Sequence, residues 1–159
     1  MILSGLTTCD PDLAKALSEY KGRLHLGLNG LDSNTAKALA EFKGESLCLD
    51  GLKAIDVDSC KAMADLKCGS LTLRAVTALD SPESVAVATA LASRTGPVYL
   101  PNLKRISPKT LTALIRKKDV EIPLIETLEF IPEPDGSVTE DFIIPEAFQE
   151  RQRLQQSRR

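Results

Sequence analysis

The side chains that could do chemistry are few and dispersed. There is one histidine, His25, and four cysteines, Cys9, Cys48, Cys60 and Cys68. No two cysteines have CxxC spacing, and a single His supplies no partner set for a structural zinc. His25 stands near Arg23 with no adjacent pairing of carboxylate and nucleophile, so neither an acid–base nor a nucleophilic role is assigned to it. Cys9 and Cys60 occupy positions that other parts of the chain fill with Ile, Leu or Ala, which reads as small core residues. Cys48 is expected on an exposed strand face and Cys68 in a turn, neither with an activating neighbour. A GxSxG elbow, a phosphate-binding loop and metal-ligand spacing are all missing from the sequence. The expectation is a protein that is not an enzyme and carries no cofactor.

Bulk properties point the same way. Net charge is −2 over 159 residues, so nothing draws the whole chain toward nucleic acid or an anionic membrane. Apolar residues make up 43% but aromatic ones only 4%, which suits many similar Leu/Ala layers better than one irregular core. The opening Met1-Ile2-Leu3-Ser4-Gly5 has neither a basic region nor a long apolar stretch, and no run is long enough to span a bilayer. Reduced thiols and a cytoplasmic location are the expectation.

What organises the chain is a repeat. Leu47-Cys48-Leu49-Asp50-Gly51-Leu52-Lys53-Ala54-Ile55 reads LxLxGLxxI. The pattern returns at Leu3, Leu28, Leu73 and Leu100, and in degenerate form at Ile122. The steps are 25, 21, 24, 27 and 22 residues. Between copies lie Ala/Leu-rich segments with helical character. Alternation in LxL sends the leucines to one side and the residues between them to the other. Asp10, Asp32, Asp56 and Asp80 precede the Ala-rich segments as helix caps. Gly22, Gly44, Gly69 and Gly96 follow them as C-terminal stops. One strand and one helix cannot bury their apolar sides alone, whereas stacked units share a continuous core.

These motifs over residues 1–131 resemble the leucine-rich-repeat superfamily, in particular its short bacterial variants. The resemblance implies an α/β solenoid with parallel strands on one face and short helices on the other, of about five repeats plus a degenerate sixth. It also implies a ligand- or protein-binding scaffold using a concave strand face. The chain departs from the family pattern in lacking the buried asparagine ladder: Asn102 sits one residue early, in the Gly slot.

Two outward columns follow from this alignment. One is Ile2, Gly27, Cys48, Thr72 and Tyr99; the other is Ser4, Asn29, Asp50, Arg74 and Pro101. Asn29, Asp50, Arg74 and Tyr99 are the candidate contacts, since aromatic residues and Arg dominate interaction hot spots. Lys15/Glu19, Lys37/Glu41 and Lys61/Asp65 read as surface ion pairs on a solvated convex face.

Composition changes after Lys118. Residues 119–150 hold ten acidic residues and no Lys or Arg, and residues 151–159 hold four Arg and no acid. Residues 132–159 form a Pro-rich acidic segment and basic tail, with a helix expected from Pro145 to about Leu154. It serves either as a cap on the last repeat or as a tether that docks elsewhere. At the other end, an uncovered first strand, with Leu6, Ala14 and Leu17 lacking cover, points to a fragment of a longer repeat protein or to contact with another molecule. Two functions therefore stand: a scaffold for a protein partner, or a structural module that self-associates. Neither a membrane nor a small-molecule substrate is implied, and the four Arg of the tail beside ten acids argue against nucleic acid.

Overall fold

The computed structural model describes residues 1–137 and 142–158. Positions 138–141 of the Pro-rich segment and Arg159 of the basic tail lie outside them. The described residues form a mixed α/β fold with a parallel sheet and six helices. The main sheet contains β1 (Ile2–Leu3), β2 (Arg23–Leu26), β3 (Ser46–Leu49), β4 (Ser70–Thr72), β6 (Val98–Tyr99) and β8 (Val120–Glu121), adjacent in chain order. A second parallel ladder joins β5 (Ala78–Leu79), β7 (Arg105–Ile106) and β9 (Glu129–Phe130). The helices are α1 (Pro11–Ser18), α2 (Ser33–Ala40), α3 (Val57–Ala64), α4 (Ser84–Ser93), α5 (Pro108–Ile115) and α6 (Glu146–Ser157). Helices α1 to α5 pack in sequence order, each of the first four on the next.

The caps explain where most helices start. The carboxylates of Asp10, Asp32 and Asp56 accept from the backbone N–H groups of Leu13, Thr35 and Ser59. Two hydroxyls also tie neighbouring layers together: Thr35 Oγ1 donates to Cys9 O at 3.2 Å, and Ser59 Oγ to Leu31 O at 2.8 Å. Asp80 is not a cap. Helix α4 starts after Glu83 without a side-chain cap, and Asp80 instead meets Arg105 at 3.3 Å. The turn Ser81-Pro82-Glu83 moves the helix start beyond the reach of Asp80.

Strand register corrects the alignment of the second repeat. Leu26, not Leu28, lies opposite Leu49, and Leu3 lies opposite Leu26. Leu24, Leu26 and Leu28 alternate over five residues, so a slip of two keeps every side chain on the same face, and alternation alone cannot choose between the registers. Backbone crowding chooses. A Cβ on Gly27 would lie 1.9 Å from Ser4 O, so glycine is required where the chain passes Ser4. Counted from Leu3, Leu26 and Leu49, the first two steps become 23 residues each rather than 25 and 21. Leu28 remains fully buried, with Leu52, Val76 and Leu103 also buried just past their strands.

Three of the four glycines after the helices, Gly22, Gly44 and Gly69, are not helix stops in the left-handed conformation. Helices α1, α2, α3 and α4 end before them, and only Gly96 of the four has positive φ, at 85°. They stand where adjacent layers meet: Gly69 donates to Gly44 O at 3.2 Å.

The core lies between the main sheet and the helices. Leu24, Leu26, Leu47, Leu49, Leu71 and Leu73 from the strand side meet Ala14, Ala36, Cys60 and Leu111 from the helix side. Ala14 and Leu17 are buried by the chain itself, because both point inward from α1, and so need no outside cover. Ile2 remains 73% exposed on β1. The expected i,i+4 lysine–acid pairs do not form among the described residues. Glu41 instead accepts from Lys67 of the next layer at 2.6 Å, since lysine before acid is the less favourable order within one helix. Among the described residues no helix is long and apolar enough to cross a membrane.

Candidate functional site

The face of the main sheet turned away from the helices carries the chemistry. Its strands are short, and every second residue points out from the core. The register sets Ile2, His25, Cys48, Thr72, Tyr99 and Glu121 side by side. One step along each chain come Ser4, Gly27, Asp50, Arg74 and Pro101. Asn29 does not join them. It sits in the loop after β2, where its N–H donates to Thr7 O at 3.0 Å, and Gly27 takes the place beside Asp50. His25 enters the face through the corrected register. The signal that would have found it is the alternation Arg23-Leu24-His25-Leu26, which sends His25 outward once β2 starts at Arg23.

Asp50 is the centre of this face. Its Oδ2 stands 3.4 Å from His25 Nδ1 on β2 and its Oδ1 3.7 Å from Arg74 Nη1, just past the end of β4. Both distances are long for charge-assisted bonds. Oδ1 is buried and has no hydrogen-bond partner among the described residues, although the Asp50 side chain as a whole is 23% exposed. A trough of about 290 Å³ runs alongside, with Ser46, Cys48, Ser70 and Thr72 as small side chains between Arg23, His25 and Arg74. Cys48 is on the expected face but buried, because the larger neighbouring side chains overshadow it.

Tyr99 is half-buried and borders a second, larger cleft of about 490 Å³, where α6 rises beside β6 and β8. Helix α6 is fixed by side chains that bond to the backbone on either side of β8. Gln152 accepts from Ile125 N at 2.8 Å and donates to Pro123 O at 3.2 Å. Gln155 donates to Ile122 O at 3.2 Å, and Arg151 donates to Lys118 O. Phe148 is buried, with Arg151 stacked over its ring at 5.1 Å. Helix α6 thus lies against the segment from Lys118 to Ile125.

A further polar cluster is structural. Arg94 is 2% exposed and donates to Pro97 O, Cys68 O and Cys68 Sγ. Lys117 donates to Arg94 O at 2.6 Å and pairs with Asp119 at 2.7 Å, which holds the Asp119 carboxyl below its ordinary range. Cys68 is therefore no unattended turn residue, but burial still pushes its thiol up in spite of the guanidinium. Nothing in the sequence marks Arg94 as buried, since arginine is ordinarily solvated. Asn102 Nδ2 donates to Arg74 O at 2.8 Å, which ties one layer to the next.

All four cysteines are free thiols. Burial pushes Cys60 up to about 12 and raises Cys9, the latter helped by Asp10 and Asp32. Among the described residues no group of three or more His, Cys, Asp or Glu side chains is placed to hold a metal ion. Comparison with known proteins finds no matching family model, no matching curated protein and no matching solved structure.

Proposed function

We propose that the chain is a leucine-rich-repeat-like solenoid that acts as a non-enzymatic protein-interaction scaffold through the open face of its main sheet. The in-order stacking of parallel strands and of five helices supports the architecture. One observation carries the function. Asp50 Oδ1 is buried on that face without a hydrogen-bond partner among the described residues; Arg74 approaches it only to 3.7 Å, and His25 approaches Oδ2 only to 3.4 Å. An unsatisfied carboxylate oxygen costs free energy in the unbound chain. The carboxylate as a whole is 23% exposed, so a partner that supplies a donor such as a backbone N–H, a lysine or an arginine can engage it and offset that cost. Arg74, 54% exposed, offers the opposite charge next to it, so the pair reads both donors and acceptors on a partner.

The test is selection of displayed random dodecapeptides on the full chain, with each enriched peptide titrated by fluorescence anisotropy. Asp50→Ala, Arg74→Ala or Tyr99→Ala should weaken binding at least tenfold. Enriched peptides that bind all three variants as they bind the parent would refute this use of the face. Self-association is the competing reading, favoured by Ile2 on the outermost strand, 73% exposed. Sedimentation of the parent and of Ile2→Lys over a wide concentration range separates it: a mass that rises in the parent and not in the variant favours self-association.

A further inference from the structure

The cleft between α6 and the sheet has a composition of its own. Residues 151, 154, 155 and 158 recur at i, i+3, i+4 and i+7, so one stripe of α6 faces the cleft. That stripe presents Arg151, Leu154 and Gln155, and Arg158 continues it from the C-terminal cap. Lys118 adds a third cation from the turn before β8, and Tyr99 supplies an aromatic wall from β6.

Charge in the cleft does not balance. Of its two carboxylates, Asp119 is engaged by Lys117 at 2.7 Å, leaving Glu121 against Lys118, Arg151 and Arg158. The side chains of Lys118 and Arg158 are exposed and make no hydrogen bond or ion pair among the described residues. Leu154 is 55% exposed on a helix whose other large apolar side chain, Phe148, is buried. Uncompensated positive charge thus lies beside an unburied leucine and a half-buried tyrosine. The volume, about 490 Å³, falls within the roughly 300–1,000 Å³ usual for built binding sites.

We infer that this cleft binds an acidic peptide segment carrying one large apolar side chain. The apolar group packs between Leu154 and Tyr99, and flanking Asp or Glu carboxylates meet Lys118 and Arg158. The inference rests on reading the open sheet face as an interaction surface, and it names the partner's chemistry at one end of that face. Recognition here is by side chains rather than by addition of a strand. Gln152, Gln155 and Arg151 already occupy backbone groups at Ile122, Pro123, Ile125 and Lys118, which an added strand would need.

The same dodecapeptide selection on the full chain tests it, with Lys118→Glu, Arg158→Glu and Leu154→Glu added to the panel. All three replace exposed side chains, and circular dichroism together with hydrogen exchange of α6 reports whether the helix stays docked. Enriched peptides should place Asp or Glu next to Leu, Ile, Phe or Met. Each of the three variants should weaken them at least tenfold with α6 still protected, and binding should fall steeply between 50 and 500 mM salt. Exchanging the peptide's acids for lysine should restore binding to Arg158→Glu. Peptides sensitive only to Asp50→Ala or Arg74→Ala overturn this inference and leave the open-face reading intact. Insensitivity to every variant overturns both. No enrichment overturns the inference, and so does a dodecameric oligothymidylate that binds with the same dependence on Arg158 and Leu154.

Discussion

Gly69 passes so near Glu45 that a Cβ on it would lie 2.5 Å from the Glu45 carbonyl oxygen. The same crowding holds one layer on, where a Cβ on Gly96 would lie 2.3 Å from Gly69 O. These glycines let successive layers approach within backbone hydrogen-bond distance, as in the 3.2 Å bond from Gly69 N to Gly44 O. Gly69→Ala should therefore force adjacent layers apart and cost roughly 1–3 kcal/mol. Urea unfolding of parent and variant measures it, and an unchanged midpoint would mean that the layers are not in this contact.

Leu49 tests the layered core. It is fully buried in β3, with Leu26 opposite on β2 and Leu73 alongside, just beyond β4. Leu49→Ala should cost roughly 2–5 kcal/mol, with the spread set by how far the flanking layers relax into the space. The loss should appear as a lower unfolding midpoint without a change of slope.

How much of this was legible depends on what alternation can encode. At Leu47-Cys48-Leu49 the pattern has one solution, and both the strand and its register follow. At Leu24-His25-Leu26-Gly27-Leu28 it has two, and the close pass of Gly27 by Ser4 O, which leaves no room for a Cβ, is a contact across layers that no local pattern carries. The slip misplaced Asn29 and hid His25, while Asp50, Arg74 and Tyr99, outside that stretch, fell on the expected face. Helix α6 was legible as a helix, but its place beside β8 only as one of two alternatives, because its docking rests on glutamine side chains bonding to backbone. Glutamine on a polar helix carries no signal of that use.

Cys60 makes the alkaline limit of stability predictable. Its thiol is buried against Val87 O, and burial, with a contribution from Asp56, pushes it from 9.0 in the unfolded chain to about 12. Between those values the unfolded state releases a proton that the folded state retains, so stability is full below about pH 9 and declines as pH rises toward 12. The slope from this one group is about 1.4 kcal/mol per pH unit inside that window. Urea titrations at pH 8, 10 and 11 should show a shallower decline in Cys60→Ala than in the parent. Parallel declines would mean that the folded protein does not hold this thiol protonated.

Asp50 should prove dispensable for folding. Its contacts to His25 and Arg74 are long, and one carboxylate oxygen is buried without a hydrogen-bond partner among the described residues. Removing it surrenders weak attractions and relieves an unsatisfied group. Asp50→Ala should change stability by no more than about 0.5 kcal/mol, or raise it. A loss of several kcal/mol in urea unfolding would make Asp50 a structural residue and remove the support it lends to a binding face.

Helix α6 should behave as a separable lid. Only Phe148 and Gln152 of its residues are buried, and Gln152 reaches Ile125 N and Pro123 O from a helix joined to β9 through a Pro-rich stretch. Replacing Phe148 with Ala removes its one buried aromatic side chain and the surface on which Arg151 stacks. Helix α6 should then detach as a unit, since no other apolar contact of that size holds it. Amide exchange should rise through Glu146–Ser157 and at β8, whose neighbouring backbone groups lose Gln152 and Gln155. The amides of β3 and β4, layers away, should keep their protection, because local opening need not propagate through a stack of similar layers. Uniform loss of protection across all strands would show instead that α6 belongs to one cooperative unit with the repeats. In that case the cleft beside Tyr99 could not be opened without unfolding the whole sheet.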